Sequence, residues 1–153
     1  MDFFKRKHQP SEKTEILFVQ CGSSFFRICE KSDGTHSILF CAGHLFKNSF
    51  YENAMEELLC PDIVVNEAFR LIKKHSVFDI LDGVKRSEYR DIECYMGYTL
   101  AVRCNYADLQ YEFCDTTGSC YEKSSDKDTQ LCMLRLISEL TELYFLVQQK
   151  KIA

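Results

Sequence analysis

Residues 128–151 constrain this chain most. Met133, Leu136, Ile137, Leu140, Leu143, Tyr144 and Val147 recur at steps of three and four, which lines them along one side of an α-helix. Ser125 or Asp128 is placed to cap its start, and Lys150 and Lys151 complement the negative end of the helix dipole. Burying such side chains stabilises by roughly 1.5–3 kcal/mol each, as an upper bound. The helix therefore needs a broad apolar surface to lie on. A chain of 153 residues supplies that surface in one domain, expected over 14–153 behind a flexible polar arm at 1–13, where Pro10 stops any helix.

The surface is expected to be a sheet. Residues 15–21 and 25–30 are rich in β-formers and are split by the turn cluster Gly22-Ser23-Ser24. Asp33-Gly34 then predicts a type I′ hairpin into a third strand at 37–42. Later, Tyr98, Leu100, Val102 and Cys104 alternate with polar or small residues, and Leu109, Tyr111 and Phe113 repeat the alternation after a turn at 105–108. Between these blocks the period changes to helical. Phe50, Tyr51, Ala54, Met55, Leu58 and Leu59 predict one helix, stopped by Pro61. Val64, Ala68, Leu71 and Ile72 predict a second, with Asp62 as its cap. A short helical turn over 76–82 should end at Gly83. Residues 84–97 fit a loop entering a strand. The fold class expected is α+β: an antiparallel sheet, built from an N-terminal three-stranded meander and two or three later strands, covered by helices on one face.

Charge and cysteine content narrow the function. A net charge of −4 argues against a non-specific nucleic-acid binder, whose footprint is basic. No run of 18 apolar residues appears, so no helix is expected to span a membrane. The N-terminus lacks the apolar core of a signal peptide, which predicts an intracellular protein, cytoplasmic or nuclear. Nine cysteines, an odd number, cannot all pair with one another. Most sit among apolar residues, as in Phe40-Cys41 and Leu131-Cys132, and are expected to be reduced core thiols.

Signatures of catalysis are sparse. The glycines form no phosphate loop, and neither HExxH nor GxSxG occurs. Cys41 and His44 have the spacing of half a zinc site, for which Cys114 and Cys120 are the best second half. A core cysteine beside a surface histidine explains the same pair, so no metal or other cofactor is expected. Carboxylate pairs such as Glu56-Glu57 read as solvated faces. Lys73, Lys74, Lys85, Arg86 and Arg90 offer a small RNA or phosphate patch, although lysines at a helix C-terminus need no ligand.

Aromatic content is the stronger lead. Twelve Phe and eight Tyr exceed what the core pattern uses, and protein interfaces are enriched in both. Tyr121 falls in a loop, while Leu134, Phe145 and Leu146 lie off the main stripe of the last helix. At about 100° per residue, Phe145 is about 20° from Leu134 and Leu146 roughly 120° from it. These four residues are the expected protein-binding positions. The functional expectation is a non-catalytic protein–protein interaction module: an adaptor subunit, an inhibitor or immunity-type protein, or a complex-assembly protein. Its partner is another protein, with self-association as a second option. The alternatives are a Cys41/His44-dependent enzyme or zinc-supported module, and a small RNA- or phosphate-binding domain.

Overall fold

A computed structural model describes residues 12–22, 24–41, 56–85, 100–115 and 127–150. Within them lie strands β1 (Lys13–Cys21), β2 (Ser24–Lys31), β3 (His36–Cys41), β4 (Leu58–Cys60), β5 (Leu100–Tyr106) and β6 (Leu109–Asp115). Three helices are described: α1 (Asp62–Lys74), α2 (Val77–Lys85) and α3 (Lys127–Gln148). All strands join one antiparallel sheet in the order β4-β3-β2-β1-β5-β6. The α+β architecture, with its N-terminal meander and long last helix, is thus the one expected from the pattern.

Register explains how the core is built. Ile38, Ile28, Leu17, Cys104 and Tyr111 sit opposite one another across five strands. One step along, Phe40, Phe26, Val19, Val102 and Phe113 do the same. These two rows form the helix-facing side, and α3 lies against β1, β2, β3 and β4. Helix α1 turns Val64, Val65, Ala68, Leu71 and Ile72 inward. Helix α2 reaches β6 through Phe78, stacked on Tyr111 at 4.2 Å, and through Asp82, which accepts the Tyr111 hydroxyl at 3.0 Å.

The second sheet face departs from simple alternation. A bulge between Glu15 and Leu17 moves Glu15 to the side opposite Leu17. There its carboxylate accepts a 2.9 Å hydrogen bond from Nε of Arg103. The Arg103 guanidinium lies 4.1 Å from the centre of the Phe18 ring, which also stacks on Phe25. Phe18 is buried beneath them, so β1 carries an unbroken buried run, Ile16 to Val19.

Four local expectations need correction. Leu58 and Leu59 are not the end of a helix: they belong to β4, paired with Ile38 and Ser37. Glu56 and Glu57 before them are not helical either, residues 50–55 of that expected helix lie outside the described residues, and so do 86–99. Pro61, which has no amide to donate, both closes β4 and occupies the N-cap of α1, so Asp62 is the first helical residue and not the cap. Gly83 lies inside α2, with open space where a side chain would project. The Asp33-Gly34 hairpin is not type I′: Gly34 N donates to Lys31 O, and of the two residues only Gly34 has a positive φ, +89°. That is a type I turn closed by a left-handed glycine, with the Asp33 carboxylate fastening Thr35.

Candidate interaction face on the C-terminal helix

The stripe that dominates the sequence is the buried side of α3. Met133, Leu136, Leu140 and Tyr144 are wholly buried, with Ile137, Leu143 and Val147 nearly so. Tyr144 also donates its hydroxyl to the Glu56 carbonyl at 2.5 Å, tying the helix to the chain entering β4. Burial pushes the Tyr144 phenol upward. One flank of α3 meets α1. Glu139 takes a 2.8 Å contact from Nε2 of His75 and a 3.5 Å contact from Nζ of Lys74, and these hold its carboxyl below the usual range. Cys132 Sγ donates to the His75 carbonyl at 3.6 Å on the same seam.

The other side of α3 faces outward. Leu131 and Leu134 are each 47% exposed and Leu146 is 36% exposed. Arg135, Ser138, Glu142 and Gln149 share this side, also exposed. Among the described residues neither Arg135 nor Glu142 has an ion-pair partner, in contrast to Glu139 one turn away. Phe145 leans inward and is half-buried: its ring meets Phe40 at 6.3 Å and Tyr144 at 5.6 Å. Its remaining surface floors a notch of about 240 Å³ between Glu142, Leu146 and Gln149. A second groove of about 280 Å³ follows the α1–α3 seam between Arg70, Lys74, Glu142 and Leu146.

The expected binding residues are therefore placed unequally. Leu134 and Leu146 are on the outer face, Phe145 sits at its margin, and Tyr121 lies outside the described residues. The sequence reading missed Leu131, three positions before Leu134, because it sits beside the buried Cys132. It also missed Arg135 and Glu142, whose lack of partners is visible only once the α1–α3 seam is known. A further omission is His36, which is buried, with both ring nitrogens lacking a hydrogen-bond partner among the described residues. The Asp62 carboxylate stands 3.6 Å from its Nδ1.

The alternative sites do not assemble from what is described. Cys41 and Cys114 lie on one cross-strand row, through Phe25, Gln20 and Ala101. Four strand spacings put them roughly 19 Å apart, too far to share one zinc ion. His44 and Cys120 fall outside the described residues, within which no group of three metal-ligating side chains occurs. Of the basic patch, Lys73 is exposed, Lys74 is engaged by Glu139, Lys85 closes α2, and Arg86 and Arg90 are outside the described residues. Five of the seven described cysteines are buried: Cys21, Cys29, Cys60, Cys104 and Cys132. Burial pushes Cys60 and Cys104 up to about 12, which removes the thiolate a nucleophile requires. Cys114 is the exposed one. No described helix is long and apolar enough to cross a membrane. No protein-family model matches this sequence, and no curated protein is significantly similar to it.

Proposed function

We propose that this chain is a non-catalytic protein-binding module, an adaptor, inhibitor or assembly subunit, whose partner covers the outer face of α3. The observation that carries the reading is three exposed leucines, Leu131, Leu134 and Leu146, on one side of a helix whose other side is fully used by the core. Exposed apolar side chains scattered singly need no explanation, but a row of them beside an apolar notch has the make-up of an interface core. Five of the seven described cysteines are buried among apolar side chains, as core thiols are in a reducing, intracellular compartment.

The test is a pair of measurements on Leu134→Ser. Its thermal melt should stay within about 0.5 kcal/mol of the parent, as for a surface site. Its affinity for the partner recovered by pull-down should fall by about 1–2 kcal/mol, as for an interface anchor. Loss of the fold with Leu134→Ser, or undiminished capture of every partner, overturns the reading.

A further inference from the structure

We infer that the partner seated on the outer face of α3 is a second copy of this chain, its α3 antiparallel to the first about a two-fold axis beside Leu140. The inference rests on the proposed binding role of that face and names its occupant.

The notch on α3 has the shape of a helix-packing hole. Glu142, Phe145, Leu146 and Gln149 stand at positions i, i+3, i+4 and i+7, the four corners of a hole that accepts one side chain from a facing helix. Phe145 and Leu146 make its floor apolar, so the knob it accepts is an aliphatic side chain. Leu134, 47% exposed, is such a knob on the same surface.

In an antiparallel pair, positions equidistant from the crossing point fall opposite one another. With the crossing at Leu140, Leu134 enters the hole around Phe145 and Leu146 of the second copy, and the reciprocal contact forms at the other end. Leu131 comes opposite Gln149, beside Leu146. Ser138, the smallest exposed residue on the face, lies near the crossing, where helix axes approach to about 8–10 Å.

Charge on the face is self-complementary as well. Arg135 and Glu142, without ion-pair partners among the described residues, lie too far apart on one helix to meet each other. Across the two-fold each comes within about one turn of the other's counterpart, making two identical ion pairs. Such an interface is isologous and closes at two chains.

Sedimentation equilibrium of the full chain across a concentration series tests this. A reversible species of twice 17.9 kDa is expected. Arg135→Glu alone and Glu142→Arg alone should each weaken association at least tenfold with helicity unchanged by circular dichroism. The double exchange, which restores opposite charges across the two-fold, should recover most of the loss. A monomer at every concentration overturns the inference. So does a dimer indifferent to Leu134→Ser and to both charge reversals, or one that the double exchange fails to rescue. The two proposals fail separately. A monomer whose Leu134→Ser variant loses a different captured protein leaves the binding role standing and removes only the second copy. Indifference of every association to Leu134→Ser removes both.

Discussion

Both long sides of α3 carry apolar side chains, and these meet opposite fates. On the inner side, leucines, isoleucine, methionine and tyrosine meet two cross-strand rows of the sheet and are excluded from water. On the outer side, three leucines of the same chemistry remain in solvent, separated by Arg135, Ser138 and Glu142. The difference is one of periodicity and company. Inner positions repeat without interruption, so their contacts reinforce one another. Outer leucines are spaced by polar residues, so each meets solvent without an apolar neighbour on every side. A hydrophobic side chain thus reports on the core only together with its neighbours around the helix.

Substitutions along α3 should break this contrast if it is wrong. Leu140→Ala should have the largest effect: a cavity at a wholly buried site should cost about 3–4 kcal/mol in denaturant titration. A loss under 1 kcal/mol would mean that the inner side is loosely packed. Tyr144→Phe keeps the ring and removes only the donor to the Glu56 carbonyl, so its cost should be about 1 kcal/mol. The flank gives a smaller, pH-dependent effect. The Glu139 carboxyl is held below its ordinary value by the His75 hydrogen bond first and Lys74 second, so it stabilises the fold above the ordinary carboxylate range. That contribution is lost as pH falls through the lowered value. Glu139→Gln should remove about 0.5 kcal/mol at neutral pH, the scale of an exposed ion pair, and flatten the acid limb of the stability profile. An unchanged acid limb in the variant would assign that limb to other carboxylates. Leu134→Ser, on the outer side, should move stability least of all.

Legibility in the sequence followed the same division. The inner stripe was readable because helical spacing and burial coincide at every position. Strands β1, β2, β3, β5 and β6 were readable from their β-formers and turn residues. Strand β4 was not, because Leu58-Leu59-Cys60 also completes a helical pattern and its pairing with β3 is a tertiary fact. The burial of Phe18 had no local signal either, because its cover is Arg103, from a strand far along the chain. At the candidate site, Leu134 and Leu146 stood out as leucines off the stripe. The inward lean of Phe145 depends on Phe40 and had no local signal. Arg135 and Glu142 look like ordinary surface charges in the sequence, which does not show that Lys74 and His75 go to Glu139.

Strand β1 joins two very different neighbours, and this has a kinetic consequence. Its pairing with β2 closes through a tight turn, and β2 with β3 through another, so these ladders form at little loop-closure cost. Pairing with β5 brings together residues such as Glu15 and Arg103, 88 positions apart, and must wait for the intervening chain to be gathered in. The N-terminal meander should therefore be formed at the folding barrier and the β5–β6 hairpin should dock after it. Ile28→Ala is expected chiefly to slow refolding and Val102→Ala chiefly to speed unfolding. Chevron plots showing equal slowing of refolding by both would reverse that order. Until β5 arrives, one long edge of β1 has no partner, and its run Ile16-Leu17-Phe18-Val19 is the stretch of this molecule most open to pairing with another nascent chain.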